Sequence, residues 1–239
     1  MAFLLFTISY FLSAVPAQSS NPELDQVLRS WITDNTHFEK DQNNQDILFI
    51  RKQPVRVYIK IDDPEIVAEA RTAIANFANA FGLQYEFTAT NINMIIGVAS
   101  GISEKGRPSR SLLTSFGLKT SDIDYIVSIL GDSWSTGCGF YHSRDSEGRL
   151  GFSIVAGDKG LARKKLKSCI VTGIISAFGL RMSGHEVVDH SNDYIQFLLL
   201  ARSLLECEKK ISLQKMDEAL PTRGTYIDCV SNTLHLKLN

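Results

Sequence analysis

The densest group of side chains able to do chemistry lies in the stretch HEVVDH, where His185, Glu186, Asp189 and His190 fall within six residues. Imidazole and carboxylate are ordinary zinc ligands. On a helix, His185 and His190 stand five positions apart and would not share a face. In a loop the four side chains could converge on one cation, and the chemistry would then be metal-dependent hydrolysis. The other histidines, His37, His142 and His235, are isolated in the sequence and take no role on this reading.

Cysteine is the second reactive type. Cys138, Cys169, Cys207 and Cys229 are even in number, and none forms the C-x-x-C spacing of a zinc or redox site. Two disulfides are expected if the chain is exported, with three connectivities open. The favoured one pairs Cys138 with Cys169, tying a strand to a central helix, and Cys207 with Cys229, pinning the C-terminal tail to the last long helix. Buried free thiols are the alternative if the chain stays in a reducing compartment.

The elements that must position these residues follow from periodicity. ELDQVLRSWIT puts Leu24, Val27, Leu28, Trp31 and Ile32 on one helical face, and HFEKDQNNQD reads as a polar connection. PVRVYIKI alternates as a half-buried strand. DDPEIVAEARTAIANFANAFGL has Asp63 as N-cap, Pro64 at the first helical position and Gly82 as the stop. QYEFTA and INMIIGVA read as strands, and CGFYH and LGFSIVAG as a hairpin. SLLTSFGL reads as a short helix or turn, and DYIVSIL as a buried strand or helix. A helix from Leu161 to Phe178 ends at Gly179 and contains Gly173 at its middle. A mid-helix glycine costs about 1 kcal/mol relative to alanine, so another element is expected to pack closely there. A long helix from Asp193 to about Lys209, a short one from Ser212 to Leu220 and a strand at TLHLKL complete the chain. Strands, a central helix and a helical C-terminal part imply an α+β fold, a mixed sheet with packed helices.

The chain has 239 residues, 44% hydrophobic and 21% charged, with a formal net charge of -1. That is globular composition, and the balance of charge argues against nucleic acid or an anionic membrane surface as partner. The opening MAFLLFTISYFLSAVPAQSS runs apolar from Ala2 to Val15 and exits through Val15-Pro16-Ala17. It has the shape of a secretory signal over residues 1–17, although its n-region has no Lys or Arg. A retained N-terminal anchor is the alternative. The expected organisation is then an N-terminal helix and linker over 18–50, one α+β domain over 51–221, and a disulfide-pinned tail over 222–239, in a periplasmic or secreted protein without a membrane span.

Cys169 to Leu180 resembles the signature helix of a secreted bacterial family of unknown function, Cys-Leu-x-Glu-Glu-Leu-x-Gln-x-Leu-Gly-Leu. Cys169, Ile170, Ile174, Phe178, Gly179 and Leu180 match it, whereas Thr172 and Gly173 replace the two Glu and Ser176 replaces the Gln. That helix is in turn similar to the H-E-x-x-H-x-x-G-x-x-H helix of metzincin peptidases, where two His one turn apart hold Zn²⁺ and Glu activates its water. The resemblance implies a zincin-like fold, with ligand positions at Thr172, Ser176 and Met182 and the base position at Gly173. Neutral hydroxyls are poor zinc ligands beside Cys, His and carboxylate, so the same residues argue against zincin chemistry and for no metal cofactor. A second resemblance is that of YIVSILGDSW to the first block of GDSL-type serine hydrolases, which implies Ser133 as an ester-attacking nucleophile. Two features oppose it. That block normally opens its domain, and the Asp-x-x-His pair is missing, since Asn232 stands three residues before His235.

The expectation drawn from these residues is a non-catalytic binding or structural module of the cell envelope with a degenerate peptidase-like fold. Its partner would be an extended peptide, held in a groove beside Thr172 and Ser176, or an envelope protein.

Overall fold

In the computed structural model the described residues are 22–40, 46–100, 110–117, 119–121, 123–124, 134–135, 137–145, 149–181, 192–214 and 222–238. In chain order the elements are α1 (Pro22–Asn35), β1 (Phe38–Lys40), β2 (Asp46–Leu48), β3 (Val55–Lys60), α2 (Pro64–Ala80), β4 (Tyr85–Phe87), β5 (Met94–Ala99) and α3 (Arg110–Ser115). There follow β6 (Trp134–Ser135), β7 (Cys138–Arg144), β8 (Leu150–Asp158), α4 (Arg163–Ala177), α5 (Asn192–Gln214) and α6 (Arg223–Leu238).

The main sheet has the order β4-β3-β5-β8-β7-β6. From β4 to β8 the neighbours run parallel, and β7 and β6 are antiparallel additions. The predicted hairpin is the β7–β8 pair. Strands β5 and β8 lack clean alternation because both faces of the sheet are covered. Val155 faces the large core with α2, α4 and α5, while Ile95, Ile154 and Ala156 face a smaller one with Leu113 and Phe116 of the α3 region.

Helix α2 follows its sequence signals closely. Asp63 Oδ1 accepts from Glu65 N at 2.9 Å and Ile66 N at 3.3 Å, as an N-cap should. Ile66, Ala70, Ala73, Ile74, Phe77 and Phe81 are all buried. Helix α4 stops at Gly179, whose φ of +96° suits glycine. A side chain there would also run into the backbone of the crossing segment, with Ile50 Cα 2.7 Å from the Cβ position.

Three expectations are corrected. TLHLKL is not a strand but the last turns of α6, in which Tyr226, Val230 and Leu234 recur every four residues and are buried. The alternation of Leu234 to Leu238 imitates a strand only because it is short. HFEKDQNNQD is not a featureless connection, since its ends form the antiparallel pair β1–β2, and Leu48, Phe49 and Ile50 beside it are buried. Residues 212–214 belong to the end of α5 rather than to a separate helix, and 215–220 lie outside the described residues. Ile32, Leu48, Ile50, Tyr226, Val230 and Leu234 share the core of the 51–221 segment.

Cys138 pairs with Cys169 and Cys207 with Cys229, the favoured connectivity. The second pair closes a sequence separation of 22 residues between α5 and α6. The chain-entropy model gives such a crosslink about 3 kcal/mol. Replacing Cys207 and Cys229 together by serine should therefore lower the urea-unfolding free energy by about that amount. No helix among the described residues is long and apolar enough to cross a membrane.

Candidate functional site

The helix face singled out by the sequence lies against β7. Cys138, Phe140 and His142 alternate along the strand and point the same way, and Cys169, Gly173 and Ser176 follow one another along one stripe of α4. They meet in three successive contacts. The first is the disulfide Cys138–Cys169. In the second the Phe140 ring packs on Gly173, where a Cβ would stand 2.6 Å from the ring and closer still to Val155. In the third His142 Nε2 lies 2.8 Å from Ser176 Oγ. The close packing expected at Gly173 is therefore supplied by β7 and β8. The groove expected beside Thr172 and Ser176 is largely taken up by Phe140 and His142. Thr172 Oγ1 is buried and has no hydrogen-bond partner among the described residues.

Behind His142 runs a buried polar chain. Arg51 is 1% exposed, and its guanidinium donates to three acceptors: Ala177 O at 3.1 Å, Gly151 O at 2.6 Å and Ser153 Oγ at 2.7 Å. Ser153 Oγ lies 3.1 Å from His142 Nδ1. The proton arrangement that satisfies every contact has Ser153 donating to Nδ1, while the Nε2–H of a neutral imidazole donates to Ser176. Burial lowers the Arg51 pKa to about 9. That of His142 is pushed down to about 3, first by burial, then by the Arg51 charge and by His37.

This arrangement decides what the Ser176–His142 pair can do. A serine nucleophile needs a histidine that can take up its proton, with an anion to steady the imidazolium. Both ring nitrogens of His142 go to serines, and the nearby fixed charge is a cation. The pair is a poor general base and serves as a polar lock between β7 and α4. A pH signature follows. Because the folded pKa is below the ordinary 6.5, the unfolded chain binds protons more readily and stability falls as pH drops from about 6.5 towards 3. The fall should reach at most about 1.4 kcal/mol per pH unit. In His142→Asn, urea midpoints taken across that range should show a shallower fall, with a loss of about 1–3 kcal/mol at neutral pH.

Other predicted positions fare differently. Thr172, Gly173 and Ser176 come together as described. Ser133, Met182, His185, Glu186, Asp189 and His190 lie outside the described residues. Among the described residues no group of three or more His, Cys, Asp and Glu side chains is placed to hold a metal. A cavity of about 200 Å³ opens between α2, α4 and α5, lined by Glu69, Thr72, Ala73, Val171 and Tyr194. Its polar atoms are already engaged: Thr72 Oγ1 with Ala68 O, the Tyr194 hydroxyl with Asn76, and Glu69 with Lys167. It is also smaller than a usual small-molecule site of about 300 Å³ or more.

Sequence reasoning missed Arg51, Ser153 and His142. For His142 a signal existed, because it stands in phase with Cys138 and Phe140 on a strand. Comparison with known protein families, curated proteins and solved structures yields no match for this chain.

Proposed function

We propose that the chain is an exported, non-catalytic binding or structural module of the cell envelope, built on a degenerate, metal-free zincin-like fold. One observation carries the non-catalytic reading: the face of α4 that would bear ligands and base is fastened to β7 through Cys138–Cys169, Phe140 against Gly173, and His142 to Ser176. A metal and its substrate would need that space. The placement of α4 directly after the β7–β8 hairpin, on a mixed sheet, supports the zincin-like part of the reading. Export is supported by the two disulfides, which suit an oxidising compartment.

With the helix face filled, the partner in this reading is an envelope protein met on the outer surface rather than a peptide in the groove. The test is elemental analysis of purified, export-matured protein together with labelling by a serine-directed phosphonate. The reading expects less than a tenth of an equivalent of zinc and no label. About one zinc per chain, or a label lost in Ser133→Ala, would overturn it in favour of a loop-held metal or a serine hydrolase.

A further inference from the structure

We propose that strands β1 and β2 form an acid-released latch on the C-terminal end of α4, with His37 as the group whose protonation releases it. The latch is visible in the backbone. Arg181 N donates to Asn35 O at 2.9 Å, Thr36 bridges to Leu180, and Arg51 N donates to Phe178 O at 3.3 Å. The chain on either side of the hairpin thus clasps the end of α4 around Gly179. Phe49 N closes the clasp by donating to His37 O at 2.8 Å. Beneath it lie Leu48, Phe49 and Ile50, all buried, so release would expose apolar surface.

The charges around His37 give the clasp its sensitivity. Its ring stands edge-on to Phe49 at 4.8 Å, and its Nε2 lies 2.9 Å from Glu39 Oε1. Glu39 also pairs with Arg144 of β7, and Arg181 and His142 complete the surroundings. Glu39 pairs with both His37 and Arg144, and Arg181 adds a second cation acting on His37, so a proton added to His37 joins two guanidinium charges against one carboxylate. Burial, Arg181 and Arg144 lower the His37 pKa against the opposing pull of Glu39. The latched form consequently binds a proton less readily than the released form. Latching is complete above about pH 6.5 and weakens as pH falls below it.

The proposal shares only His142 with the contacts that carry the non-catalytic reading, and its test reads 36–40 and 46–50 rather than the α4 face. Hydrogen exchange on the full chain tests it. Protection of the amides in 36–40 and 46–50 is compared at pH 7.5 and 5.5, after correction for intrinsic exchange chemistry, with β5 and β8 as internal reference. Both values lie above the ordinary carboxylate range. The expected result is a loss of protection in those amides that exceeds the loss in β5 and β8, to which His142 contributes, by up to tenfold, roughly the limit for one proton over one pH unit. The excess should vanish in His37→Gln, which keeps a donor towards Glu39. Should that variant not fold, Arg181→Ala removes one cation and should shrink the excess. A loss in 36–40 and 46–50 no greater than that in β5 and β8, or an equal excess in His37→Gln, would overturn the latch.

Discussion

Arg51→Met should lower the unfolding free energy by about 3–5 kcal/mol, the largest single-site loss expected outside the central helix. Arg51 is an almost fully buried cation, and among the described residues no carboxylate meets its guanidinium. What holds it is the carbonyl end of α4, where Ala177 O carries part of the negative pole of the helix, together with Gly151 O and Ser153 Oγ. Methionine fills much of the volume but leaves these acceptors without donors, at about 1–3 kcal/mol for each buried group. Arg51→Lys should fare little better, because one ammonium cannot reproduce the planar fork that reaches both strand and helix. Urea unfolding of the three proteins measures this. A loss under 1 kcal/mol in Arg51→Met would mean that water or a shifted backbone satisfies those carbonyls.

Gly173→Glu should yield little or no folded protein, a loss upwards of about 4 kcal/mol. This substitution returns a carboxylate to the position where the metzincin resemblance places a base. A Cβ at 173 already collides with Phe140 and Val155, so overpacking comes first and burial of a charge follows. Gly173→Ala isolates the steric part. It gains up to about 1 kcal/mol of helix propensity and should still be net destabilising. Combining it with Phe140→Ala should recover part of the loss, and a double-mutant cycle gives the coupling. Additive effects would show that the ring and the glycine do not confine one another. A well-folded Gly173→Glu would mean that the helix face has room for chemistry after all.

Much of the architecture could be read along the chain because local and tertiary demands coincide. Asp63-Pro64 at one end of α2 and Gly82 past the other are local signals that the structure uses directly. The β7–β8 hairpin and the cysteine pairing were readable for the same reason. The C-terminal helix was misread where a five-residue alternation overrode a weaker period of four. The hairpin at 38–48 escaped notice because its strands are three residues each and gain their burial from the neighbouring Leu48, Phe49 and Ile50. On the candidate site, the sequence singled out one face of α4 but not the groups that pack against it. Arg51, Ser153 and His142 come from three separate elements, and only folding brings a lone arginine and a lone histidine into one chain of hydrogen bonds. No spacing rule in one dimension encodes such a meeting.

The docking of α6 against α1 has a consequence for how the protein is made. Asp25 accepts from Ser231 at 3.0 Å and meets His235 at 3.2 Å, and Arg29 of α1 pairs with Asp228. Tyr226, Val230 and Leu234 enter the same core as Ile32. A chain synthesised from its N-terminus therefore carries α1 for about two hundred residues before its partner helix emerges. Until then the core lacks the wall that Tyr226, Val230 and Leu234 supply. Seating α6 against α1 is then a late event in folding, and the wall they form together closes only after the main sheet is complete.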